Sequence, residues 1–254
     1  MSDRTVTKPV TDGNIYLISG LTAGTYYFVR VFTVNDAFSS ESSFNISSVI
    51  RTAEDKPGKV ANLASTSSKN SVNVAWMRPD MPKGDIIGYS IQINFVNAAC
   101  RVYIQENSTN AINSSCTIVN RTTINLNEMS MSQDILNLKA SREYPVKVYA
   151  YTTVGVGEES EISVTTNIAP PFQPTIQDGK ALTATSIEVN WLKPTEKTGP
   201  TTYEVTVHDV ILGSNRSENC QSDFNTTRCT VTNLKEYWPY TFQVTAVVKN
   251  GENS

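Results

Sequence analysis

Histidine is almost missing from this 254-residue chain: the single one is His208. A Ser-His-Asp or Cys-His catalytic set would have to be built around that residue. It sits in the run TYEVTVHDV, whose alternation makes it a strand side chain. No GxSxG, P-loop or HExxH occurs, and Gly155-Val156-Gly157 lacks the third glycine of a dinucleotide fingerprint. The carboxylates Glu158, Glu159 and Glu161 fall at a hairpin and strand start, where solvation accounts for them. No catalytic residue, metal site or cofactor is therefore expected. Basic runs are also lacking. The net charge is −3 with Lys and Arg scattered, so there is no footprint for a phosphate backbone and no nucleic-acid partner is expected. No stretch approaches the roughly 18 apolar residues that span a bilayer, and MSDRTVTKPVTDGNIY has no signal-peptide core, so this segment is not expected to insert directly into a membrane.

Cysteine is sparse, and its placement is informative. The four residues form two local pairs, Cys100 with Cys116 and Cys220 with Cys229. An even count in short loops is the pattern of disulfides formed in an oxidising compartment. Zinc would need further ligands that the lone histidine does not supply.

What is abundant is repetition. GLTAGTYYFVRVFTVN, NLKASREYPVKVYAYTTVG and NLKEYWPYTFQVTAVVKNG each place a Leu six residues before a Tyr and then alternate apolar with polar side chains. The pairs are Leu21 with Tyr27, Leu138 with Tyr144, and Leu234 with Tyr240. Such a Tyr tucks its ring into the core while its hydroxyl bonds back to the preceding turn, the tyrosine corner of a Greek-key sandwich. Upstream, SVNVAWMRP and SIEVNWLKP are strands ending at Trp76 and Trp191, each with a Pro three residues later and a second strand opening at Tyr89 or Tyr203. These aromatics are expected to be core residues.

On these motifs the chain resembles the fibronectin type III family, with LTAGTYY nearest the family's Leu-x-Pro-Gly-Thr-x-Tyr corner. The resemblance implies an all-β chain of tandem immunoglobulin-like Greek-key sandwiches, with linkers at Lys56-Pro57-Gly58 and Ala169-Pro170-Pro171. The expected organisation is the C-terminal half of one domain at 1–54, a domain at 55–168, and a domain lacking its last strand at 169–254. The chain then reads as part of a longer array. PGKVANLASTSSKNSVNVAWMRPDMPKGDIIGYSIQI is similar in style to the repeats of receptor-type tyrosine phosphatase ectodomains; any phosphatase domain would lie elsewhere in the parent.

Trp76 to Tyr144 spans 68 residues against 49 from Trp191 to Tyr240, which places an insertion of 19 near 97–132. It holds Cys100, Cys116 and three glycosylation sequons, and reads as a stapled, decorated loop. The six sequons begin at Asn45, Asn107, Asn113, Asn120, Asn215 and Asn225, and five of them lie in or beside the two cysteine loops. Lys83-Gly84-Asp85 resembles an integrin-binding tripeptide, but turn chemistry explains Gly-Asp fully. The expected role is an extracellular, cell-surface segment of a single-pass membrane protein. It would bind a protein ligand through 35–42, 152–160 or 97–132, or serve as a passive spacer between neighbouring repeats.

Overall fold

The computed structural model describes residues 15–31, 45–46, 49–96, 118–220 and 223–248. Among them every regular element is a β-strand. Three units follow one another along the chain.

In the first unit, β1 (Tyr26–Tyr27) pairs antiparallel with β4 (Ile50–Arg51), and β2 (Arg30–Val31) pairs with β3 (Asn45–Ile46). No second layer covers these ladders among the described residues. Leu21, expected in the core, is therefore 39% exposed, and Tyr27 is only half-buried.

The second unit stacks two sheets. One joins β5 (Ala61–Ser67), β6 (Val72–Met77) and β9 (Ser132–Ile135). The other joins β7 (Gly88–Val96), β8 (Ile118–Asn127), β10 (Glu143–Thr152), β11 (Gly155–Val156) and β12 (Ser160–Thr165), with β10 between β7 and β12. Period-two alternation puts Val72, Val74 and Trp76 of β6 on one face of the core and Tyr144, Val146, Val148 and Ala150 of β10 on the other. The expected insertion is in part a strand: residues 118–127 run antiparallel to β7 from Gly88 to Val96. Cys100, Cys116, Asn107, Asn113 and the loop at 35–42 lie outside the described residues.

The third unit repeats the plan. β13 (Thr175–Thr183), β14 (Ser186–Leu192) and β17 (Arg228–Val231) form one sheet. β15 (Thr201–Asp209), β16 (Asn215–Cys220) and β18 (Tyr240–Val248) form the other. β18 occupies the place of β10, and among the described residues no strand pairs with its outer edge. An open cleft of about 430 Å³ there is lined by Pro174, Ile176, Phe242 and Val244.

The two cores are built around the same aromatic pair. Trp76 and Tyr89 lie 5.5 Å apart between ring centroids at 57°, and Trp191 and Tyr203 lie 5.3 Å apart at 54°. These are tilted contacts of the kind aromatic quadrupoles favour. All four rings are buried. Burial pushes both phenols to higher pKa; the Tyr203 hydroxyl donates to the Phe224 carbonyl at 3.1 Å.

Candidate interaction surfaces and repeat junctions

The Leu-to-Tyr turn has the same geometry in all three units. The Tyr27 hydroxyl accepts from Thr22 N–H at 2.8 Å, Tyr144 from Lys139 N–H at 2.8 Å, and Tyr240 from Lys235 N–H at 3.0 Å. Left-handed backbone flanks each Leu at matched positions. Gly20, Asn137 and Asn233 precede it at φ 74°, 60° and 59°. Gly24, Ser141 and Tyr237 follow three residues later at 62°, 51° and 53°. Leu138, Leu234 and Tyr144 are buried, while Tyr240 is partly buried against the third core. Replacing Tyr144 with Phe is expected to lower the stability of the second unit by about 1–1.5 kcal/mol, because the Lys139 N–H loses its acceptor. Thermal melts resolving the two sandwiches check this, and an unchanged second-unit transition would count against the corner as a stabilising bond.

The corners also meet the linkers. In the first unit Gly24 N–H donates to the Ala53 carbonyl at 2.9 Å, and the Thr52 hydroxyl accepts from Thr25 N–H at 3.0 Å. In the second, Ser141 N–H donates to Asn167 at 3.0 Å, and the Thr166 hydroxyl accepts from Arg142 N–H at 3.0 Å. Each linker then binds the loop between the Trp strand and the Tyr strand of the unit that follows. Asp55 N–H donates to Lys83 at 2.9 Å and Gly58 N–H to Met81 at 2.9 Å, while Ala169 N–H donates to Thr198 at 3.1 Å.

Lys83-Gly84-Asp85 is thus part of a junction. Asp85 accepts from Arg51 at 2.9 Å, and its N–H donates to Glu54 at 3.0 Å. That backbone bond, with the Thr153 hydroxyl and the Arg51 guanidinium, holds the Glu54 carboxyl below its ordinary pKa. A Cβ on Gly24 would fall 2.5 Å from the Gly84 backbone, so the corner lies directly against this loop. At the second junction Lys139 pairs with Glu196 of the equivalent loop.

Cys220 and Cys229 are disulfide-bonded with Cα atoms 5.9 Å apart, linking β16 of one sheet to β17 of the other. Asn215 and Asn225 are exposed; their side chains meet His208 Nδ1 and Lys193 Nζ respectively. Asn45 and Asn120 lie in β3 and β8. His208 faces Asn215 and Thr241 across its two ladders. Glu159 accepts from Lys147 at 2.6 Å and from the Tyr149 hydroxyl at 3.0 Å on the exposed sheet face.

One polar group lacks a clear signal in the sequence. Asp209 is buried, and its Oδ1 accepts from Trp238 Nε1 at 2.8 Å, Leu212 N–H at 2.9 Å and Ile211 N–H at 3.1 Å. Burial works to raise its pKa, but the bonds from Leu212, Trp238 and Ile211, with the nearby Lys235 charge, outweigh it and hold the carboxyl below its ordinary value. A depressed carboxyl adds stability above the unfolded-state pKa of about 3.9, and this is lost as pH falls through the folded value. Acid titration of the third unit should therefore show a loss of stability below about pH 4 that is shallower in Asp209→Asn. Equal slopes in the two proteins would show that Asp209 does not contribute.

The Fibronectin type III domain family model matches residues 56–166 and 170–254. The chain belongs to the fibronectin type III family. Phosphatidylinositol phosphatase PTPRQ of Rattus norvegicus is 26% identical over 249 residues, covering 95% of this chain and 10% of that protein. Cell adhesion molecule Dscam1 of Drosophila melanogaster is 24% identical over 244 residues, covering 92% of this chain and 11% of its own. The chain thus spans about a tenth of the length of these curated relatives. A crystal structure of chicken CNTN1 FN1-FN3 domains aligns with TM-score 0.40 at 18% identity, covering 89% of this chain and 73% of that one. The module is non-catalytic, and similar repeats occur in cell-surface receptors and adhesion proteins.

Proposed function

We propose that this chain is an extracellular segment of a cell-surface receptor or adhesion protein that sets the spacing between repeats and offers loop surfaces to a protein ligand. The carrying observation is that both junctions use one arrangement, in which corner, linker threonine and following loop are bonded together. An array built this way holds its repeats in a defined order and attitude, as a spacer must. The same junctions support a division of the chain at 1–54, 55–168 and 169–254. A parent of the receptor-type phosphatase class agrees with the similarity to PTPRQ; its catalytic domain would be a separate part of the protein.

For ligand binding, the hairpin turn at 152–160 presents apolar side chains to solvent, with Val154 49% and Val156 53% exposed. Val154→Asp with Val156→Lys is expected to reduce adhesion of ligand-bearing cells to the immobilised, secreted chain. Undiminished adhesion would leave the passive spacer as the better reading. That second reading is favoured at Lys83-Gly84-Asp85, whose carboxylate is engaged by Arg51.

A further inference from the structure

The corner of the third unit stands apart from its two predecessors at the left-handed position three residues after the Leu. Where the first unit has Gly24 and the second Ser141, the third has Tyr237, held at φ 53° with its side chain wholly in solvent. A bulky side chain in the left-handed region is strained, and a fully exposed ring recovers nothing from its own domain. The turn bonded to the residues that follow Tyr237 presents Val210, Ile211 and Leu212, exposed by 49%, 58% and 61%. The turn that carries them is tied to the corner by Val210 N–H to the Pro239 carbonyl at 3.3 Å and by Asp209 to Trp238. The apolar face is therefore presented on a braced support.

The two earlier units show what covers this position. There the left-handed residue donates its N–H to a linker carbonyl, and at Gly24 its α-carbon lies against the loop of the next repeat. Among the described residues no carbonyl reaches the Tyr237 N–H. We infer that Tyr237 with Val210, Ile211 and Leu212 is a docking face for a further fibronectin type III repeat joined after β18, whose linker carbonyl takes the Tyr237 N–H and whose Trp-strand-to-Tyr-strand loop covers the ring. The face would form whether or not the hairpin at 152–160 binds a ligand.

The repeat register supplies the test protein: residues 1–254 followed by a second copy of residues 159–254, which appends a strand like β12, a linker and a complete loop. Hydrogen exchange at the Tyr237 and Leu212 amides should slow about tenfold or more relative to the 254-residue chain. A free peptide of residues 159–171 should slow Tyr237 but leave Leu212 unchanged, separating the linker bond from loop docking. Exchange at Leu212 that the appended repeat does not alter would overturn the proposal. A second arm needs no appended sequence: Tyr237→Gly in the 254-residue chain should raise the melting temperature of the third unit by a few degrees, since strain goes and no packing is lost. A lowered melting temperature would show that the ring supports its own domain, and would overturn the assignment.

Discussion

Replacing Trp191 with Ala is expected to unfold the third unit at temperatures where the second remains intact. The indole is fully buried, packs on Tyr203, and lies in one cluster with Val189, Val205, Val207, Val231 and Val244. Removing a buried aromatic of this kind costs about 3–5 kcal/mol, from lost transfer energy and from the cavity left behind. That is a large part of the roughly 5–15 kcal/mol that holds a domain together. Calorimetry should show two transitions in place of overlapping ones, with only the lower one displaced. A single transition moved as a whole would mean that the two sandwiches unfold as one cooperative body.

Loss of the Cys220–Cys229 bond is the second large effect expected. The bond joins β16 to β17, a side-chain cross-link between the two sheets of the third unit. Closing a loop of this size stabilises by roughly 2–3 kcal/mol in the chain-entropy model. For a domain of under 100 residues that is roughly 10–20 °C in melting temperature. The double variant Cys220→Ser, Cys229→Ser isolates this bond from the other cysteine pair. Its third-unit transition should fall while the second-unit transition stays in place. An unmoved third unit would show that ladder bonds and the Trp191 cluster are enough by themselves.

Much of the sandwich architecture was legible from short-range rules. Period-two alternation reports burial directly, so β6, β10 and β15 could be read from residue type, and Trp76, Trp191 and Tyr144 could be placed inside. The tyrosine corners were legible because hydroxyl, Leu and turn lie within seven residues of each other. Other features were not. The run IVNRTTINLN is rich in Asn and Thr because β8 is an edge strand, with Thr122, Thr123, Asn125 and Asn127 exposed, so its composition is that of a loop. Leu21 obeys the local pattern, yet burial also needs a second layer, which no local pattern supplies.

The junctions were the least legible part. Their bonds run from backbone N–H to backbone carbonyl, which any residue but proline can make, and their ion pairs join residues such as Arg51 and Asp85 that are 34 positions apart. The left-handed turn position was equally hidden. Gly24 is an obvious occupant, but Ser141 and Tyr237 hold the same backbone without its chemical signature.

The linker bonds also set how the chain would respond to tension. Force applied along a row of sandwiches passes through every linker in series, and each linker here is fastened by a few backbone bonds, such as Asp55 to Lys83 and Ala169 to Thr198, and by ion pairs such as Lys139 with Glu196. Each sandwich, by contrast, is closed by ladders in which many bonds share a load, as between β15 and β18. Stretching would therefore peel the joints open first, lengthening the molecule by small reversible steps while the tryptophan cores stay shut.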